Sequence, residues 1–298
     1  MKSNFRCIVL VIANHDELYE DFKSTWVYHW NNNKQYLHDC ECLYLYNDEN
    51  QTEKVICCGN DLYFPFKETY PAPGLLLKTI GALEYLKEIT YDIILRTNLS
   101  SLINWKSFSE FIDKNISNQY FYAGVLYKDK HMSGCCMIMS KYIANILLEN
   151  KNSFNYDKPD DVAINLWLLS SEISDKIDYQ YIDSIRPNND EELSDAINKN
   201  IIHFRFHAGY TNENIKRIKD HRDMKNIMTL LDKIVEYFTQ IKHNFTQSDV
   251  DNESNYYFIA LITIVVVLII ALIIALIIVG MIDFLKKSKI KEKSKSKF

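Results

Sequence analysis

Short apolar runs of strand length alternate with segments of helical spacing along most of the chain. Arg6–Ala13, Cys42–Tyr46 and Tyr120–Tyr127 are each long enough for a buried strand, and residues 16–30 carry bulky apolar side chains at helical intervals. Strands that alternate with helices at this spacing form α/β sheets whose strands are largely parallel. The pattern therefore predicts an α/β fold with a mostly parallel central sheet flanked by helices.

The apolar run Ile93–Leu95 turns polar at once, through Arg96, Asn98 and Ser100. Open α/β sheets bind their ligands in the crevice outside the carboxyl ends of the strands. Arg96 carries a fixed charge that suits phosphate, and the two short polar side chains offer donors and acceptors. Taken alone, the stretch fits a polar cap for a helix at Trp105–Ile112 better than a ligand site. The motifs described below favour the ligand site.

The net charge of −5 conceals an acidic body and a basic tail. Residues 283–298 contain seven lysines and two acids, which leaves −10 for residues 1–282. An acidic body argues against nucleic acid as a partner. The seven cysteines include no Cys-x-x-Cys pair, which indicates free thiols and favours a reducing compartment. Richness in Asn, Lys, Ile and Tyr is typical of an AT-rich genome, such as that of a large DNA virus.

The sequence changes character after residue 223. Residues 224–246 place apolar side chains at heptad-like spacing, which indicates an amphipathic helix packed on its own domain or, alternatively, a coiled-coil stalk. Residues 247–257 are polar and acidic, as in a linker. Residues 258–282 are almost uninterruptedly apolar, and at ~1.5 Å per residue a helix of this length spans roughly 37 Å, enough to cross a ~30 Å hydrocarbon core with tilt.

We therefore expect a domain over residues 1–223 and a single C-terminal transmembrane helix over residues 258–282. The basic tail, residues 283–298, suits anionic lipid head groups. No signal peptide is recognisable at the N-terminus, which predicts that the bulk of the chain is cytosolic. The positive-inside rule points the other way, because the basic flank is the C-terminal one.

Several motifs follow one another in a distinctive order. They are FKSTW (Phe22–Trp26), DLYFPFKETYPAPGLLLKT (Asp61–Thr79), RTNLSSLIN (Arg96–Asn104), FYAG (Phe121–Gly124), SGCCMIMS (Ser133–Ser140) and PDDV (Pro159–Val162). Over about residues 5–210 this order resembles the fringe and β-1,3-galactosyltransferase group of inverting glycosyltransferases. The resemblance implies a GT-A-like domain that moves a sugar from a nucleotide sugar to a hydroxyl group of a glycan, lipid or protein acceptor.

The resemblance also implies a donor site. In the family, a Lys/Arg-x-Asp-Asp-Asp motif holds a divalent metal, usually manganese, that binds the donor diphosphate. Here Arg96 keeps the basic position, and Asn98, Leu99 and Ser100 stand in place of the three acids. Because hard cations prefer carboxylate oxygens, we expect donor binding to depend little on manganese and Arg96 to attract the phosphates. Lys78 is a further donor-binding candidate.

On the acceptor side, Ser133 and Gly134 occupy the position of the family's glycine-rich turn. Asp160 and Asp161 match an acidic pair whose second member is the general base in the family, so the resemblance assigns the base to Asp161. Carboxylates at a helix start also act as caps, and one acid could cap while the other faces the substrate.

A late histidine binds metal or phosphate in the family, and either His203 or His207 could correspond to it. A structural histidine is the alternative for both. Three functions remain open: a membrane-anchored inverting glycosyltransferase, a degenerate and non-catalytic membrane protein that binds sugar or protein, and a tail-anchored tethering protein built on residues 224–246. The altered metal motif and the intact PDDV motif bear on the choice between the first two.

Overall fold

The structure is a computed structural model that describes residues 5–70, 72–116, 118–127, 131–187, 190–206 and 218–233. Met1–Asp232 forms one compact unit. The predicted linker, transmembrane helix and basic tail lie outside the described residues. Among the helices that are described, none is long and apolar enough to cross a membrane.

The strands and helices follow the predicted alternation. The strands are β1 (Arg6–Ile12), β2 (His38–Asn47), β3 (Ile56–Cys58), β4 (Asp61–Phe64), β5 (Ile93–Asn98), β6 (Ser101–Ile103), β7 (Phe121–Tyr127), β8 (His131–Ser140), β9 (Asp178–Tyr181), β10 (Ser184–Ile185) and β11 (His203–Arg205). The helices are α1 (Glu17–Asn33), α2 (Gly74–Tyr85), α3 (Trp105–Asn115), α4 (Lys141–Glu149), α5 (Asp160–Ser170) and α6 (Asp190–Asn198). Residues 218–233 form a further helix, α7.

The described strands form a large mixed sheet in the order β3-β4-β2-β1-β5-β8-β7-β9 and a small sheet in the order β10-β11-β6. The half formed by β4, β2, β1 and β5 is parallel, as predicted. Strand β8 runs antiparallel to both β5 and β7, which makes the other half mixed. The short connection between β7 and β8 accounts for their pairing, because neighbouring strands joined by so few residues can pair only in antiparallel fashion.

The strand order reverses at β1, because β2 and β4 lie on one side of it and β5 lies on the other. Both of its faces are buried: one packs against α1 and the other against α2. The register places Ile12 beside Asn98, so the carboxyl ends of β1 and β5 are level. Such a topological switch point is where open α/β sheets leave a crevice for a ligand. The fold therefore puts the polar end of β5 at a position suited to binding. We call this place, at the carboxyl ends of β1 and β5, the crevice.

Helix α7 packs against the same core as α1. Four side chains of α7 are buried in the cluster that contains the face of β1 packed against α1: Met224, Ile227, Met228 and Leu231. His221 Nε2 lies 2.9 Å from Thr25 Oγ1 of α1. The described part of the predicted 224–246 helix is therefore packed on its own domain, and the helix begins before the predicted boundary at residue 223.

Truncating Met224 tests this packing. Met224 is fully buried, so Met224→Ala should lower the free energy of unfolding by about 2–5 kcal/mol. Ile218, in the same helix, is 57% exposed, and Ile218→Ala should change stability by no more than about 0.5 kcal/mol. Urea unfolding of the two purified variants gives the comparison. Equal effects would contradict the packing of α7 on the domain.

Candidate functional site

Arg96 and Asp160 form a buried ion pair beneath the crevice. Arg96 Nη2 lies 2.6 Å from Asp160 Oδ2, and the two side chains are 3% and 1% exposed. Thr79 Oγ1, on α2, donates a hydrogen bond to the same carboxylate oxygen at 2.8 Å. Burial raises the pKa of the Asp160 carboxyl, and the Arg96 guanidinium opposes that rise. The pair joins β5, α2 and α5, so both side chains are enclosed in the structure. Donor binding by Arg96 and a catalytic role for Asp160 stay predictions.

Lys78 has a similar internal role. Its Nζ donates to the Ala13 carbonyl at 2.6 Å and lies 2.6 Å from Glu68 Oε2. Burial lowers the pKa of Lys78, and Glu68 counteracts that effect. The ammonium group therefore links α2 to the end of β1. Its assignment to donor binding stays a prediction.

Asp161 differs from its neighbour because it is partly exposed. Its Oδ2 accepts a hydrogen bond from the Gly134 N–H and its Oδ1 from the Val162 N–H, both at 2.8 Å. A Cβ added to Gly134 would lie 2.8 Å from Arg96 Nη1 and 3.3 Å from Asp161 Oδ2. A side chain at this position would have to displace the guanidinium, which lies close to the Gly134 backbone. Residues 133 and 134, where the sequence predicted a turn, are part of strand β8; Gly134 orients Asp161, and Ser133 is partly exposed at the same edge.

Asn98 and Ser100 meet a cation that the sequence analysis did not identify. Arg205 Nη1 donates to Asn98 Oδ1, to Ser100 Oγ at 3.0 Å and to Ser101 Oγ at 3.1 Å. Leu99, between the two polar positions, is fully buried. The only signal for Arg205 in the sequence was a charged residue within an apolar strand.

The backbone of β8 connects these groups to Asp161. Ser101 Oγ donates to Asn98 Oδ1 at 2.9 Å and lies 3.3 Å from the Cys135 carbonyl oxygen. Cys135 follows Gly134, whose N–H binds the Asp161 carboxylate. The structure therefore brings the predicted residues of the donor and acceptor sides to one edge of the sheet.

The late histidine is placed differently. His203 is fully buried, and its Nδ1 lies 2.6 Å from Ser184 Oγ. Burial, together with the nearby charge of Arg205, lowers the pKa of His203 to about 3, so the ring is neutral at physiological pH. His203 thus has the contacts of a structural histidine, whereas His207 lies outside the described residues.

The residues at the end of β5 do not fit a divalent cation. An amide, a hydroxyl and a guanidinium replace the carboxylate oxygens that manganese or magnesium would need. Within the described part of the chain, no group of three or more His, Cys, Asp or Glu side chains could hold a metal ion.

A stack of three rings lies at the carboxyl ends of the neighbouring strands. His15, which follows β1, is exposed and stacks on Tyr46 of β2 (centroids 4.8 Å apart, planes at 23°) and on Tyr63 of β4 (5.9 Å, 10°). Lys23 Nζ lies 5.0 Å from the centroid of the Tyr46 ring and 2.7 Å from Asp61 Oδ2. An exposed flat ring at this edge suits stacking against a nucleobase, since every base has an aromatic face. Sequence analysis missed this stack.

A cavity of about 530 Å³ lies elsewhere, at the C-terminal ends of α2 and α4. It is lined mainly by charged side chains, among them Lys54 and Glu84, which pair with each other at 2.7 Å. None of the residues at the crevice lines it, and Lys54 and Lys151 both pair with Glu84. We therefore place the candidate site at the crevice and not in this cavity.

No protein-family model and no curated protein sequence matches the chain. A structural similarity exists to a glycosyltransferase involved in the glycosylation of the major capsid of PBCV-1 (11% identity, 74% of this chain and 99% of that one, TM-score 0.40). The glycosyltransferase GlyE of Streptococcus pneumoniae TIGR4 is also similar (10% identity, 80% of this chain and 64% of that one, TM-score 0.43). A third similar structure is the galactosyltransferase LgtC in complex with donor and acceptor sugar analogs (11% identity, 75% and 95%, TM-score 0.40). Because these TM-scores are low, the function proposed below rests on the residues of this chain.

Breaking the buried ion pair tests its structural role. Asp160→Asn leaves the Arg96 charge buried without its partner, so the free energy of unfolding should fall by about 3–5 kcal/mol. Asp195→Asn is the matched control, because it removes the same charge from an exposed pair with Lys199 and should leave stability almost unchanged. Denaturant unfolding measures both. Similar stabilities for the two variants would mean that the ion pair does not hold the crevice together.

Proposed function

We propose that the chain is a glycosyltransferase that moves a sugar from a nucleotide-sugar donor to a hydroxyl group of an acceptor. The observation that carries the proposal is the grouping of polar residues at the switch point between β1 and β5. There an oriented, partly exposed carboxylate, Asp161, is linked through the β8 backbone to the polar end of β5. This is the arrangement that a donor site beside a general base requires.

The nucleobase and the diphosphate of the donor would contact different parts of this edge of the sheet. The ring stack of His15, Tyr46 and Tyr63 suits the nucleobase. The diphosphate then falls near the carboxyl ends of β1 and β5, where the crevice is expected. The sugar faces Gly134 of β8 and Asp161. This path follows the sheet edge from β4 to β8, in the order in which the strands lie.

Asp161 is proposed as the base that activates the acceptor. Its carboxylate takes the proton of the attacking hydroxyl, the oxygen forms a bond to the anomeric carbon of the sugar, and the nucleoside diphosphate leaves with the electron pair of the broken bond. Attack from the side opposite the leaving group inverts the anomeric configuration. The two backbone N–H donors hold the carboxylate in one orientation, and the buried Asp160 fixes the start of the helix that carries it. No step of this route passes through manganese.

The proposal extends to the membrane. Residues 258–282 would anchor the enzyme, with the bulk of the chain in the cytosol and the basic tail against anionic lipid head groups. A glycan, a lipid or a protein could supply the acceptor hydroxyl.

A non-catalytic sugar- or protein-binding role is the second candidate. The internal pairing of Arg96 and Lys78 favours it, because neither side chain is open to a donor phosphate. Release of nucleoside diphosphate from a panel of nucleotide sugars separates the two candidates, since only an enzyme turns the donor over. A tethering role has less support, because the described part of α7 is occupied by its own domain.

Removing the proposed base should abolish most of the turnover. Asp161→Asn keeps the side chain's shape but cannot accept a proton, so the rate of sugar transfer should fall about 10²–10⁴-fold while donor affinity is retained. Asp157→Asn is the control, because it makes the same charge change at an exposed position just before α5. Transfer by Asp161→Asn at the wild-type rate would rule out this residue as the base.

Deleting the apolar segment tests the anchor. A chain that ends at Asn255 should leave the membrane fraction on carbonate extraction, whereas the full chain should stay in the pellet, because only the full chain carries the apolar run. Detection of both chains by an N-terminal tag gives the comparison. Retention of the shortened chain in the pellet would contradict the proposed anchor.

A further inference from the structure

We infer that Asn165 is a positioning residue for Asp161. Its buried side-chain amide attaches α5 to strand β8 and so holds the carboxylate of Asp161 at the crevice. The inference rests on the proposed function, because it needs Asp161 to be the base. It follows from the way in which two side chains of α5 complete the hydrogen bonding of one stretch of β8.

Part of β8 extends beyond its pairing with β5. The register between the two strands covers Cys136 to Ser140 of β8, with Thr97 opposite Cys136. Met132 and Gly134 come before this paired stretch, and both are buried. Buried backbone N–H and C=O groups need hydrogen-bond partners, so another element has to complete this part of the strand.

Helix α5 supplies these partners. The Asp161 carboxylate accepts the Gly134 N–H at 2.8 Å, and four residues later Asn165 Oδ1 accepts the Met132 N–H at 3.1 Å. Asn165 Nδ2 also donates to the Met132 carbonyl at 3.1 Å, so the amide pairs with both backbone groups of one residue. Residues four apart lie on one face of a helix. This face of α5 therefore takes the place that a neighbouring strand would have.

Asn165 binds its own helix and strand β7 as well. Its Nδ2 donates to the Asp161 carbonyl at 2.7 Å and lies 3.2 Å from Tyr122 Oη of β7. Asn165 is 3% exposed and Tyr122 is fully buried, so these contacts are made within the protein interior. One neutral side chain thus connects α5, β7 and β8 about one helical turn from the proposed base.

Asn165 carries no charge, which suits it to hold α5 during the reaction. As Asp161 takes the proton of the acceptor, its carboxylate becomes neutral. Its hydrogen bonds from the Gly134 and Val162 N–H groups then weaken, because bonds to an ionised acceptor are the stronger ones. The contacts of the Asn165 amide do not depend on that proton. Asn165 therefore keeps the helix against β8 at the step when the contacts of Asp161 itself are weakest.

Two substitutions separate the link to β8 from the link within the helix. Asn165→Ala removes both. Asn165→Ser keeps a hydroxyl that can bond to the carbonyl four residues earlier, which is that of Asp161, but the side chain ends one bond too early to reach Met132. If the link to β8 positions the base, both substitutions should slow the reaction about ten- to a hundredfold, as expected when a reacting group is displaced by about an ångström.

The assay is the release of UDP or GDP from UDP-glucose, UDP-galactose and GDP-mannose by the full chain in detergent, with water as the attacking hydroxyl. Both variants should lower kcat, while the Kd of the nucleoside diphosphate, measured by calorimetry, should stay within about twofold of the wild-type value. Met224→Ala is the control, because it removes a buried packing contact of α7 and should leave kcat unchanged.

A double-mutant cycle shows whether Asn165 acts through Asp161. In the Asp161→Asn background the base is absent, so Asn165→Ala should cause less than about a twofold further loss of rate. A side chain that only supports the fold would reduce the rate by the same factor in both backgrounds.

The outcomes separate this inference from the proposed function. If the wild-type chain releases no nucleoside diphosphate, or if Asp161→Asn releases it at the wild-type rate, the proposed function or its base fails and the inference fails with it. If Asp161→Asn is slow but Asn165→Ala or Asn165→Ser is as fast as the wild type, the inference is overturned while the proposed function stands. Equal losses in both backgrounds of the cycle also overturn it. Should Asn165→Ala fail to fold, Asn165→Ser gives the decision.

Discussion

The ion pair between Arg96 and Asp160 is the constraint on which the crevice depends. A buried charge is tolerated only when it is paired and hydrogen-bonded, and here Thr79 completes the set around the carboxylate. The guanidinium lies close to Gly134 of β8, where a Cβ would come within 2.8 Å of Arg96 Nη1. Gly134 also supplies the N–H that orients Asp161. One buried pair therefore links three separate segments of the sequence and helps to orient Asp161, the partly exposed acid beside it.

Local patterns in the sequence were enough to predict much of the sheet. The runs that predicted β1, β2 and β7 are long and apolar, and each lies in a strand of the structure. The antiparallel direction of β8 and the small sheet of β6, β10 and β11 were not predicted. Strands of two or three residues are too short to show a period, and β6 pairs with β11, which lies about a hundred positions later in the chain. Such contacts depend on the assembled fold and cannot be derived from the local pattern.

The sequence predicted that polar residues gather at the end of β5, but it did not predict the partners that these residues have in the structure. The sequence around a basic residue at a strand end looks the same whether the side chain faces solvent or a buried carboxylate. Arg96 and Lys78 were therefore assigned to phosphate, although the fold pairs them with Asp160 and Glu68. Arg205 was missed for the complementary reason. Its acceptors lie about a hundred residues earlier in the chain, and only the pairing of β11 with β6 brings them together.

Burial separates the charged groups at this edge into two classes. The fully enclosed charges of Arg96, Lys78 and Asp160 are paired and hold elements together, whereas Asp161 and Arg205 are partly exposed. A divalent cation at the end of β5 would need carboxylates at positions 98 and 100, and it would be repelled by a guanidinium a few ångströms away. The neutral side chains at those positions are therefore compatible with the arginine beside them, whereas a divalent cation is not.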